Sequence, residues 1–244
     1  MTFYILISGS IAGCNLDDKV AFGGFFIVHK DWRGKGVGSK LFKEHLKHIG
    51  DRNFGIDAVE ESVQHDKKDG FIHMSFAVSA FMGVPDRLKL LRLDQYDEDL
   101  VKYTADLFEC LFQYDSKLHT IPRRDFLKCW VKEDITTTYC AMENGNIKGY
   151  GCLQPIEGGH YMIGPVYADT PDIAKRLFTK LFLSVPDGKQ VAFDIPTDNS
   201  LAMGIAKEHG MTLQLKLFRM YNKEVIEFDL DRVYAFSTMG IALV

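Results

Sequence analysis

Three glycines and two cations lie within six residues at Arg33-Gly34-Lys35-Gly36-Val37-Gly38. A glycine lets a backbone amide approach an anion with no Cβ in the way. Amides at the start of a following helix add unpaired N–H groups and the positive end of its dipole. With Ser39, this segment could hold a phosphate or pyrophosphate, and Arg33 and Lys35 add charge. The spacing does not match the GxxxxGK[ST] of a Walker A loop. The second half does not continue as the GxGxxG dinucleotide fingerprint. The plain alternative is a solvated basic turn.

Such a loop needs a strand to deliver it and a helix to receive it. Val20–Val28 (VAFGGFFIV) reads as a buried strand with a bulge at Gly23–Gly24. After the loop, Leu41, Phe42, Leu46 and Ile49 recur at helical spacing over Ser39–Ile49. Gly9–Asn15 could end one strand and turn, and Gly55–Val59 is a short strand. Glu60–Asp69 suits a helix that Gly70 can cap, and Phe71–Phe81 is a further strand. The pattern breaks at Pro85, which places a domain boundary there and predicts units over 1–88 and 89–244.

In the second unit, Asp97–Tyr114 and Asp125–Lys132 read as helices. Thr136–Met142 and Ile147–Leu153 read as a hairpin around Asn144-Gly145. Strands are predicted over Tyr161–Tyr167, Val191–Ile195 and Leu213–Tyr221. Helices are predicted over Asp172–Leu183 and Ser200–His209, and the tail Val225–Val244 is apolar enough to pack.

The two units look alike. Phe26–Phe42 resembles Pro165–Phe178, Lys67–Phe71 resembles Lys207–Met211, Ile56-Asp57 resembles Phe193-Asp194, and Ser10–Cys14 resembles Asn146–Tyr150. Blocks in one order argue for two copies of one strand–helix unit. Helices precede the hairpin in the second copy, while almost nothing precedes Ser10 in the first. The first copy is therefore expected to lack its opening strand and helices.

Composition narrows the function classes. The 244 residues carry a net charge of −4, which argues against a nucleic-acid partner. No apolar run is long enough to span a bilayer. Met1–Gly13 lacks the basic start of a signal peptide. The five cysteines form no CxxC pair, so neither a disulfide framework nor a metal site is expected, and a reducing cytoplasm fits.

RGKGVGSKLF after an apolar strand resembles motif A of the GNAT superfamily of N-acetyltransferases, with Arg33, Gly36 and Gly38 on its [Q/R]xxGx[G/A] pattern. Asp66–Phe71 (DKKDGF) falls where the family carries a YxKxGF segment. The second half resembles the C-terminal domain of a tandem-GNAT family of the YitH/HolE-like type. That likeness is carried by Tyr114-Asp115, Pro122-Arg123, Gly149–Leu153, Ile163–Ala168, Phe193–Pro196 and Arg219–Tyr221. The resemblance implies an α/β (α+β) fold of two tandem acyl-CoA N-acyltransferase units, with mixed sheets flanked by helices and the N-terminal copy truncated. Acetyl-CoA would lie where Val20–Val28 and Gly55–Val59 splay apart. Main-chain groups of Phe26, Ile27 and Val28 would pair with its pantetheine arm. The amides of Gly34, Lys35, Gly36, Val37, Gly38 and Ser39 would hold its pyrophosphate.

The implied reaction is acetyl transfer from the thioester to an amine, small-molecule or peptide. It needs a group to take the amine's proton, a backbone donor for the oxyanion and an acid for the thiolate. Asp66 stands where the family often carries a tyrosine acid. Asp57, Glu60, Glu61 and His65 are the other candidates, each also readable as a solvated or capping residue. The second copy has Asp169-Thr170-Pro171-Asp172 in place of the glycine loop. Its carboxylates would repel a pyrophosphate, so this copy is expected to bind no coenzyme A in the family's way. The alternative is a catalytically impaired GNAT-derived coenzyme A-binding or interaction protein. The incomplete first sheet would be finished by the second copy or by another chain, as in a homodimer, and Met1–Leu6 would suit an edge strand.

Overall fold

A computed structural model describes residues 8–93, 99–119 and 121–237. Strands β1 (Gly9–Asn15) and β2 (Val20–Val28) pair antiparallel, and helix α1 (Val37–Ile49) follows the glycine loop. Next come β3 (Asn53–Val59), parallel to β2, then α2 (Val63–Lys68), β4 (His73–Gly83) and α3 (Arg87–Leu93). The second half opens with β5 (Leu100–Lys102), α4 (Phe108–Asp115) and α5 (Arg124–Trp130). The hairpin β6 (Thr137–Glu143) and β7 (Asn146–Ile156) follows. Strand β8 (His160–Ala168), α6 (Pro171–Ser184), β9 (Val191–Pro196), α7 (Ser200–Glu208) and β10 (Thr212–Tyr221) then repeat the order of β2 to β4. A short β11 (Val233–Ala235) ends the described chain.

Local sequence explains most of these elements. Thr170 caps α6 by accepting the Ile173 amide at 3.3 Å, and Pro171 opens the helix. Its inward face, Ala174, Leu177, Phe178, Leu181 and Phe182, is fully buried. One expectation is corrected. Leu100–Lys102, placed in a helix from Asp97, is a strand paired with Tyr139–Ala141, and α-helix begins only at Phe108, after a 3-10 turn at Ala105–Leu107. Residues 97 and 98 lie outside the described residues, as does Met1–Leu6. The break after Pro85 is occupied by α3, which buries Leu90.

One eleven-stranded mixed sheet runs through both halves in the order β1-β2-β3-β10-β4-β9-β8-β7-β6-β5, with β11 on β8. On one face, α1 and α2 cover the first half, and α6 and α7 cover the second. The opposite face carries α4, α5 and the tail residues Phe228 and Leu230. No helix among the described residues is long and apolar enough to cross a membrane.

The centre of the sheet is an exchange of strands. Strand β10 of the second half lies between β3 and β4 of the first, antiparallel to both. Strand β4 of the first half lies between β10 and β9 of the second. Each half thus completes the other's sheet at its centre, while β1, where the opening strand of the first copy was expected to be missing, remains the end of the sheet among the described residues. Residues 1–84 expressed alone are expected to aggregate or stay unfolded, because β3 and β4 lose the strand that joins them. Co-expression with residues 85–244 should restore solubility. A soluble monomer of 1–84 with cooperative unfolding would contradict this reading of the exchange.

Candidate active site

The parallel pairing of β2 with β3 runs only from Val20–Asn53 to Gly23–Ile56. Beyond Gly23 the strands part, and β2 carries a bulge in which Phe25 and Phe26 oppose the single residue Ile11. Phe25 has φ 52°, and Phe25, Phe26 and Ile27 are each at least half exposed. The bulge thus stands one step beyond the expected Gly23–Gly24, which pairs regularly with Gly13 and Ala12. Gly23 is small for another reason. A Cβ there would lie 2.7 Å from the Phe54 ring and 2.9 Å from His45 Nε2, and one at Gly13 would lie 2.1 Å from His45 Cε1. The buried imidazole packs against both glycines, and burial, then His48, pulls its pKa down. Sequence reasoning missed His45; paired glycines facing a helix histidine were its only signal.

The glycine loop sits at the mouth of the fork. Gly34 and Gly36 have φ 72° and 77°, the left-handed region that glycine enters without strain. Lys40 N–H donates to Gly36 O at 3.1 Å, so the amides of Val37, Gly38 and Ser39 precede the first helical bond. No acidic residue lies in the first turn of α1. Arg33 Nε donates to Val28 O at 3.1 Å, tying the loop to the strand, and Lys35 Nζ lies over the Trp32 ring. The fork therefore offers an unpaired strand edge beside a turn of free amides. That pair of features suits an extended ligand ending in an anion.

Of the five candidate catalytic residues only His65 and Asp66 come together. Asp57 is the first β3 residue past the fork. Both its oxygens accept from buried Arg219, at 2.6 and 3.0 Å. Burial pulls the Arg219 guanidinium down, but Asp57 more than offsets this and holds it above the usual arginine value. The guanidinium lies between the Phe22 and Phe76 rings. Glu60 and its neighbour Glu61 are exposed in the turn after β3. The His65 side chain is 76% exposed and faces Asp69 at 3.1 Å. Asp66 accepts from Ser62 Oγ at 2.6 Å. His65, Asp66 and Asp69 form a surface cluster in which Asp66 is half-buried.

Across the exchanged strands, Arg219 pairs with Asp57 while Ala80 pairs with Asp194. The first half's Ala80 thus stands across from Asp194 where the second half's Arg219 stands across from Asp57. Asp194 is buried with no cationic partner among the described residues, and burial, then Asp57, pushes its carboxyl up to about 7. A folded pKa above the unfolded value of about 3.9 means the native state holds the extra proton. Stability is therefore expected to fall as pH rises from about 4 to 7 and then level off. Urea unfolding at pH 5 and pH 8 reads this, and Asp194→Asn should flatten the difference. An equal slope in the variant would refute the assignment.

Comparison with known proteins gives consistent likenesses. An acetyltransferase (GNAT) domain model matches residues 111–235, and an acetyltransferase (GNAT) family model matches residues 6–70. The chain is 26% identical over 232 residues to a holothin acyltransferase of Pseudoalteromonas sp. (strain SANK 73390), covering 95% of this chain and 76% of that protein. A candidate acetyltransferase from Pyrococcus horikoshii superposes with a TM-score of 0.70 at 21% identity, covering 93% of this chain and 73% of that one. A tandem GNAT protein from the clavulanic acid biosynthesis pathway superposes with a TM-score of 0.62 at 14% identity, covering 88% and 78%.

Proposed function

The chain belongs to the GNAT acetyltransferase family, in tandem form, and from that premise we propose that it transfers an acetyl group from acetyl-CoA to an amine. The donor binds in the first copy alone. The acceptor is a small molecule or peptide. The observation that supports this most is the open fork of β2 and β3 ending at a glycine turn with free amides. The exposed edge of Phe26, Ile27 and Val28 would pair with the pantetheine arm. The amides of residues 34 to 39 would hold the pyrophosphate, and the bulge at Phe25–Phe26 frees backbone N–H groups beside the thioester carbonyl. These would steady charge on that oxygen as the amine attacks carbon and the C–S bond breaks. The amine must arrive neutral or lose its proton to water or a side chain.

A second reading is a coenzyme A-binding protein without turnover. It is favoured by the exposure of Glu60 and His65 and by the engagement of Asp57 with Arg219. Thermal unfolding with acetyl-CoA, longer acyl-CoAs and free coenzyme A separates these. Ligand at 100 times its Kd should stabilise the fold by about 2.7 kcal/mol. An unmoved Tm would sink both readings. A shift without thiol release over a panel of amines would favour the second, and a larger shift with longer chains would move the donor away from acetyl.

A further inference from the structure

The second copy repeats the fork but does not leave it open. Strands β8 and β9 pair from Tyr161–Val191 to Ile163–Phe193 and then part. Gly164 and Pro165 form a bulge opposite the single residue Cys152, as Phe25 and Phe26 do opposite Ile11. Val166 and Tyr167 thereby correspond to Ile27 and Val28. Ile27 is 57% exposed, whereas Val166 and Tyr167 are fully buried.

Their cover is the chain's own tail. Val233 pairs with Tyr167 and Ala235 with Val166, on the edge of β8 that faces β9. Phe236 N–H donates to Asp194 O on β9 at 2.8 Å, so the tail bridges both prongs of the fork. Asn199 caps α7 at the Ala202 amide and donates its Nδ2 to Val233 O at 2.9 Å. At the mouth, Arg232 donates to Asp169, the first residue of the acidic turn that replaces the glycine loop. Arg232 also lies over the Tyr114 ring.

We propose that residues 230–237 are a built-in occupant of the second acyl-CoA fork. The tail backbone takes the edge of β8 that the pantetheine arm would take in the first copy. The charge at the mouth is inverted to match: the first copy offers amides and cations to an anion, while the second offers a carboxylate to a guanidinium. The second copy therefore excludes acyl-CoA by occupancy as well as by charge. This inference rests on the reading of the first fork as an acyl-CoA site.

Hydrogen exchange on the full chain, with and without acetyl-CoA, tests it. Without ligand, the amides of 166–167 and 233–236 should exchange slowly; exchange at unprotected rates would overturn the seating, whatever acetyl-CoA does. With ligand, new protection should appear at 26–39 and not at 164–174. Calorimetry should give one site per chain. Protection at 164–174 or two sites would overturn the proposal. Binding nowhere would instead defeat the reading of the first fork and leave the tail to be judged on its own exchange. A Cβ at Gly164 would fall 1.9 Å from Phe236 O. Gly164→Ala should thus speed exchange at 233–236 by about tenfold or more while 26–39 is unaffected. Unchanged exchange in a folded Gly164→Ala chain would also count against the tail's place. Asn199→Ala, which removes only one tethering bond, gives the same readout if Gly164→Ala does not fold.

Discussion

Gly38→Glu is expected to abolish coenzyme A binding and leave the protein folded. Gly38 lies in the first turn of α1, and a Cβ there would stand 3.3 Å from Phe26 Cζ and 3.5 Å from Val28 Cγ2. Any side chain at 38 therefore grows from the helix start toward the Phe26 and Val28 side chains. A carboxylate there meets the place proposed for the pyrophosphate, so repulsion adds to exclusion. A loss of at least about 100-fold in affinity, or ~3 kcal/mol, is the expected size. Gly36→Glu works differently. Its Cβ would meet nothing within 4 Å, but the position has φ 77°. The variant carries a backbone cost of about 1–2 kcal/mol, and its side chain has room to turn away, so the affinity loss should be smaller. Calorimetry reads binding, and circular dichroism reads the fold. A folded Gly38→Glu protein that binds as tightly as the wild type would remove the glycine turn from the site.

The second large effect is on stability. Arg219→Met leaves the Asp57 carboxylate buried without its cation, and Asp57→Asn leaves the Arg219 guanidinium buried without a counter-charge, with Tyr221 still bonded to it. Each should cost about 3–5 kcal/mol in urea unfolding, as breaking a buried ion pair usually does. The double variant Asp57→Leu with Arg219→Met should recover much of the loss, because no charge then remains to be desolvated. The deficit of Arg219→Met should be smaller at pH 5 than at pH 8, since a lone buried carboxyl can take up a proton. Losses below about 1 kcal/mol would mean that water reaches the pair.

Local pattern carried far into this fold and stopped at identifiable points. Val20–Val28 is legible residue for residue because an apolar run, bounded by Asp18 and a glycine-rich loop, leaves little else to be. The two-copy order is legible because the same strand–helix grammar is used twice. Leu100–Lys102 is not, because a three-residue strand exists only through its pairing with β6. Asp57 read as a candidate acid because its partner lies 162 positions away, on a strand assigned to the other half. The expected bulge at Gly23–Gly24 took Gly23 for a backbone device, when His45 and Phe54 need the space. The tail was recognised as apolar, but nothing local says that its edge partner is β8.

The crossed placement of β10 and β4 also governs the order in which the chain can fold. During synthesis the first half emerges with β3 and β4 made, yet the strand between them is not available until Tyr221 has left the ribosome. Pairings of such long range close large loops before any contact rewards them, so they form late and slowly. Until then the nascent first half exposes the outer edge of β3 and both edges of β4, a state that invites capture by other chains. Refolding of the full chain should therefore show a slow, concentration-sensitive phase, and the yield of native protein should depend more on chaperone supply than the finished fold's stability would suggest.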